Sequence, residues 1–81
     1  MNPAITEMAQ LLEGASRAQN DLTHDILLGE FEARYKELNN DDRWEAYRTL
    51  REAYDAAENR DPQAFDEARR EAGFFEEAAI Q

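Results

Sequence analysis

Residues 17–38 read RAQNDLTHDILLGEFEARYKEL, and the spacing of their apolar side chains decides the fold class. His24, Leu28, Phe31, Tyr35 and Leu38, with Leu27 beside them, recur every three or four residues and line one side of a helix. Leu22, Ile26, Gly29 and Ala33 keep the same period on nearly the opposite side. A helix with two apolar seams is expected to be covered on both, as the central element of a small bundle or as a dimer interface. Gly29 and Ala33, one turn apart, would let a partner helix approach closely. Asn39-Asn40 is expected to end this helix, because Asn tolerates the left-handed conformation.

Upstream, Asn2-Pro3 is a cap followed by proline at the first helical position, and Ile5, Met8, Leu12 and Ala15 follow at helical spacing. Gly14 fits a helix end, and Ser16 with Gln19 fits a capping box for the next helix, so a break is expected at 14–16. A rival reading runs the first helix through Gly14, since Leu11, Ala15, Ala18 and Leu22 also hold the period. Downstream, Asp42 to Glu45 opens a third helix with the core stripe Ala46, Tyr47, Leu50, Ala53, Tyr54 and Ala57. Asp61-Pro62 starts a fourth, in which Phe65, Ala68, Ala72, Phe75 and Ala79 keep the period through Gly73. The expected fold is all-α: one acidic domain over residues 1–81, a small bundle of about four helices with short connections. The helices fall at about 3–13, 17–38, 42–59 and 62–72, the last with an alternative end near 79.

Composition agrees. Alanine (14) and Glu (12) dominate, valine is absent and isoleucine occurs three times, which disfavours any sheet. In a chain of 81 residues, a domain buries only about 60% of its unfolded surface, too little for a core and a cofactor-sized cavity together. With no cysteine there is no disulfide, thiolate metal site or thiol nucleophile. The first residues lack the basic-then-apolar plan of a signal peptide and no long apolar run follows, so the expected location is the cytoplasm.

Nineteen acidic side chains against nine basic ones give a net charge of −10, which opposes direct contact with nucleic acid or an anionic membrane. The charge is unevenly placed: −5 over residues 21–42 and −4 over 61–81, but zero over 43–60. Glu45–Arg48, Arg48–Glu52 and Arg51–Asp55 stand at helical pair spacing in the balanced segment. If the two acidic segments share a surface, Asp21, Asp25, Glu30, Glu32, Glu37, Asp41, Asp42, Asp66, Glu67, Glu71, Glu76 and Glu77 form an extended negative face, of which all but Asp21 and Asp25 are expected docking residues. Such a face either keeps the protein soluble or steers it onto a Lys/Arg-rich partner. Trp44, with Arg48 and Arg51 on the same flank, supplies the residue types most enriched at binding hot spots, and Arg48 is placed to stack on the indole. An outward Phe74 leaves a homodimer open.

Catalysis is not expected. Ser16, the sole serine, suits a cap better than a nucleophile, and the three glycines are too scattered for a phosphate loop. His24, the sole histidine, with Asp21 and Asp25 resembles half of a carboxylate-bridged metal site. The other half would have to come from a symmetric dimer, so neither metal nor cofactor is expected, and His24 reads as a seam residue. Tyr54, Ala57 and Pro62, followed by Ala72 and Phe75, resemble the junction between two tetratricopeptide units over about 22 residues. Since stable arrays need about three repeats, the resemblance implies an ordinary helical hairpin. In size, charge and expected fold the chain is similar to phage-encoded anti-defence factors such as anti-CRISPR and DNA-mimic proteins. The leading expectation is a non-enzymatic inhibitor that docks an acidic surface onto a basic, nucleic-acid-handling protein. A small adaptor or oligomerisation module is the alternative.

Overall fold

The computed structural model describes residues 2–73. They form five helices: α1 (Pro3–Ser16), α2 (Asp21–Glu37), α3 (Asn40–Thr49), α4 (Arg51–Arg60) and α5 (Pro62–Ala72). The expected all-α bundle is what the chain forms, with no strand among the described residues. None of these helices is long and apolar enough to cross a membrane.

Four side chains start the helices. The Asn2 carboxamide oxygen accepts from the Ala4 N–H at 2.9 Å, Asn20 from Thr23 at 2.8 Å, Asn39 from Asp42 at 2.8 Å and Asp61 from Ala64 at 3.3 Å. Each satisfies an N–H that the first helical turn leaves unpaired. Two of these caps correct the sequence reading. Ser16 does not open α2; its hydroxyl donates to the Glu13 carbonyl at 2.8 Å inside α1, and Asn20 is the cap. α1 runs through Gly14, as the rival reading had it, because Ala15 continues the buried stripe of Ile5, Met8 and Leu12; it ends at Ser16, so Ala18 and Leu22 do not extend it. Gly14 permits the close approach of α2, since a Cβ there would stand 3.1 Å from Leu27 Cδ1. Likewise Asn39 is extended (φ −77°, ψ 174°) rather than left-handed, and α3 begins two residues before the expected Asp42 start.

The expected third helix is two. Leu50 (φ −103°, ψ 9°) bends the chain between α3 and α4, although the i→i−4 bonds continue from Leu50 N to Ala46 O and from Tyr54 N to Leu50 O. Leu50 is buried at the bend, α4 packs against α1, and α3 contacts both. Arg51–Asp55, at 3.4 Å, is the expected ion pair that forms; the Arg48–Glu52 spacing spans the bend, and neither it nor Glu45–Arg48 closes among the described residues. α5 ends at Ala72, where Gly73 takes the left-handed conformation (φ 66°) and donates to the Arg69 carbonyl at 2.7 Å. The alternative end near 79, and with it Phe74, Phe75 and Ala79, lies outside the described residues.

α1 packs against both α2 and α4, and α5 closes the bundle against α2 and α4. All five helices share one core, in which Phe31, Tyr35, Tyr54 and Phe65 are the bulkiest side chains. Tyr54 meets Phe65 edge to face at 5.1 Å, and Phe65 in turn meets His24 at 5.6 Å. Burial raises the Tyr54 hydroxyl from its ordinary 10.0 to about 12. Its neighbour Arg69, 3.5 Å from that hydroxyl, bonds Glu58 and Asp66. Burial works against the Arg69 charge, but the Glu58 hydrogen bond and the surrounding negative groups outweigh it and raise its pKa. The inner seam of α2 is buried at His24, Leu28, Phe31 and Tyr35, as its spacing implied. The outer seam is not: Leu22 is 71% exposed and Ile26 54% exposed. α2 is therefore a flank of the described bundle and not its centre. α1 packs against α2, α3 and α4, with Thr6, Glu7, Gln10 and Glu13 left exposed on its outer side.

Candidate protein-docking surface

α2 and α5 lie side by side, and the groove between them is lined by Asp25, Leu28, Gly29, Glu32, Ala64, Glu67, Ala68 and Glu71. Four carboxylates thus edge a floor of small or apolar side chains. Helical register produces this pattern: Asp25, Gly29 and Glu32 stand one turn apart on α2, as do Ala64, Glu67 or Ala68, and Glu71 on α5. Glu32 is held by Lys36 at 3.0 Å, whereas Glu67 and Glu71 have no ion pair among the described residues. Toward the start of α2 the groove continues into a depression lined by Asp21, Asp25, Asp61, Gln63, Ala64 and Glu67. No Lys or Arg lines either part. Grouped carboxylates against a low-dielectric wall concentrate negative potential and attract cationic surfaces.

The outer seam borders this groove. Leu22, Ile26, Gly29 and Ala33 are all exposed, and a Cβ built on Gly29 would meet nothing within 4 Å. On its far side lie Glu30 and Glu37, which line a depression with Ala33 and Arg34. Arg34 reaches across to Glu7 of α1 at 2.9 Å. The whole is an apolar strip with carboxylates on both flanks, a shape that suits a partner whose own apolar ridge is bordered by Lys or Arg.

The remaining expected site residues fall elsewhere. Asp41, Asp42, Trp44 and Arg48 gather, with Glu45, around a separate shallow depression on α3. Trp44 is half-buried and meets Tyr47 edge to face at 5.8 Å. Among the described residues Arg48 does not stack on the indole; Arg43 lies over Tyr35 at 5.1 Å, and Arg51 lies 5.6 Å from both Tyr47 and Tyr54. Arg51 does not line this depression; its guanidinium lies over Tyr47, the ring that Trp44 meets. Asp66 is engaged by Arg69 on α5 and does not line the groove. Glu76 and Glu77 lie outside the described residues. Asp25 and Asp61, in contrast, were not among the expected docking residues. The first was legible as the residue one helical face-repeat before Glu32, while the second joins only through the turn between α4 and α5.

No protein-family model, curated protein or solved structure matches the chain. The class of protein is accordingly defined by its own architecture: a small, strongly acidic all-α bundle with an exposed apolar seam beside a carboxylate-lined groove.

Proposed function

We propose that the protein is a non-enzymatic inhibitor or modulator that docks its α2–α5 face onto a basic, nucleic-acid-handling protein and blocks it sterically, in the manner of phage anti-defence factors. The observation that carries this reading is the groove itself. Asp25, Glu32, Glu67 and Glu71 converge on one groove from two helices, with Lys36 pairing Glu32 from outside it and no Lys or Arg in its lining, beside the exposed Leu22 and Ile26. Carboxylates arrayed on one face present a basic groove with the charge it meets on a phosphate backbone, and such attraction weakens as salt screens it. The apolar strip would then supply the part of the contact that salt does not weaken.

The test is capture of partners from lysate of the native host with the wild-type chain, with Glu67→Lys/Glu71→Lys, and with Leu22→Ala/Ile26→Ala. A nucleic-acid-handling protein that elutes with salt, is displaced by a polyanion and is lost in the charge-reversed variant supports the reading. The adaptor alternative is favoured by the seam alone. It expects a salt-resistant partner, or further copies of the chain, lost with Leu22→Ala/Ile26→Ala and retained with the reversed charges.

A further inference from the structure

At the head of the groove, where α2 begins, the side chain of His24 is fully buried, and each of its ring nitrogens faces an oxygen acceptor. Nε2 lies 3.4 Å from the Ala57 carbonyl oxygen. Nδ1 lies 3.2 Å from Asp25 Oδ1 and 3.9 Å from Asp61 Oδ2. A neutral imidazole carries one N–H, so it satisfies only one of these two sides. Whichever nitrogen holds the proton, the lone pair of the other points at oxygen. The buried ring is complete only with a second positive species on the other nitrogen, a proton or a metal ion in its place, and two carboxylates converge on the side where Nδ1 lies.

Nearby cations do not fill that need. Arg60 bonds Asp21 at 2.9 Å and the Ala18 carbonyl at 3.1 Å, and Arg69 is bound to Glu58 and Asp66. Among the described residues neither Asp25 nor Asp61 has a Lys or Arg partner. We propose that His24 Nδ1, Asp25 and Asp61 form a binding site for a divalent transition-metal ion of the zinc class, which would tie the start of α2 to the α4–α5 turn.

The geometry suits such an ion. The three donor atoms lie within 4.8 Å of one another, against an edge of about 3.4 Å for tetrahedral ligands with bonds near 2.1 Å. Closing the difference falls to Asp25, whose side chain is 56% exposed and moves into open solvent. Asp61 is already oriented: its Oδ1 caps α5 at Ala64, which leaves Oδ2 for the ion. With a metal on Nδ1 the remaining proton would sit on Nε2, where the Ala57 carbonyl stands 3.4 Å away to accept it, the outer-shell contact that metal-bound histidines use. One imidazole and two carboxylates favour zinc, cobalt or nickel over magnesium or calcium, which take all-oxygen shells. Water entering past Asp25 completes the coordination. The sequence pattern had suggested Asp21 as the third ligand; the fold gives Asp21 to Arg60 and supplies Asp61 from a turn 37 positions beyond His24.

The test titrates Zn²⁺ into the full, untagged chain and follows the ring nitrogens of His24 by heteronuclear NMR, with calorimetry for stoichiometry. Because His24 is the sole histidine, its ring signals need no further assignment. One ion per chain is expected, with Nδ1 moving to its metal-bound position, Nε2 keeping its proton, and no competition from Mg²⁺. Asp25→Asn and Asp61→Asn should each weaken binding by at least about tenfold. The second keeps the helix cap, because Asn caps as well as Asp, and circular dichroism confirms the fold. Glu67→Gln, in the same depression, should leave affinity within about threefold, as expected of a residue that supplies no ligand. Zinc that binds without moving the His24 signals, both ring nitrogens remaining protonated at saturating zinc, or unchanged affinity in Asp61→Asn would overturn the assignment.

Discussion

Leu22 and Leu28 are the same residue on the same helix, six positions apart, and one substitution applied to each tests which seam of α2 the bundle uses. Leu28 is 4% exposed, in the shared core at the floor of the α2–α5 groove, whereas Leu22 is 71% exposed. Leu28→Ala should cost about 2–5 kcal/mol, the lost transfer energy plus a cavity. At Leu22 under a third of the side chain is covered, so a full burial of about 1.5–3 kcal/mol scales to about 0.5–1 kcal/mol. The alanine Cβ retains part of that contact, which brings the expected cost to about 0.5 kcal/mol or less. Helix propensity changes equally at both sites and cancels in the comparison. Urea unfolding, followed by Trp44 fluorescence and far-ultraviolet circular dichroism, reads both. With a slope near 1 kcal/mol per molar for a chain of this size, the Leu28 variant should lose at least about 2 M in midpoint and the Leu22 variant less than about 0.5 M. The series is run at two protein concentrations. A Leu22→Ala cost that reaches the about 1.5–3 kcal/mol of full burial, or that grows with protein concentration, would show the outer seam to be covered in the native particle. The exposed-strip argument would then fail.

Other outcomes follow from single contacts. Asn20→Ala should destabilise by about 1 kcal/mol through loss of the Thr23 cap, while Ser16→Ala costs little; urea midpoints that reverse this order would restore the earlier helix start. Gly29→Ala should stabilise by about 0.5–1 kcal/mol, since its Cβ enters open space inside a helix. Gly14→Ala should gain less, because Leu27 must give way; equal gains by thermal unfolding would contradict that contact. In alkali, Tyr54 ionises near 10 in the unfolded chain but near 12 in the bundle. Between these values the unfolded state holds fewer protons, so stability present below pH 10 is lost as pH rises toward 12. Tyr54→Phe should flatten that decline, and an unaltered alkaline profile would refute the burial argument.

Much of this molecule is legible residue by residue. Ile5, Met8, Leu12 and Ala15 announce the inner face of α1 by spacing alone, and all four are buried. Asn2-Pro3 and Asp61-Pro62 mark helix starts that the structure keeps, because a cap is a contact between residues two or three apart. Less legible was the α1–α2 boundary, where Ser16 and Asn20 both offer a cap within one turn of each other. The choice fell to Asn20 because Ala15 and Leu27 each have to reach the α1–α2 contact. The bend at Leu50 carries no proline or glycine and so no local signal. Beyond it, Arg51 lies over Tyr47 and Tyr54 and does not join the depression that Trp44 lines.

The division between local and tertiary information is sharpest on α2. Its sequence determined that it is a helix and that it carries two apolar seams, because both properties arise from a period of 3.6 residues along one chain. Which seam is buried depends on where α1, α4 and α5 end up, and the sequence treats Leu22 and Leu28 alike. The acidic composition was likewise plain from the counts. That Glu32 of α2 faces Glu67 and Glu71 of α5, and that Asp61 turns toward His24, needed segments tens of residues apart to pack together. Secondary structure here is set by contacts within a turn or two, and the docking surface and the His24 cluster by contacts between helices.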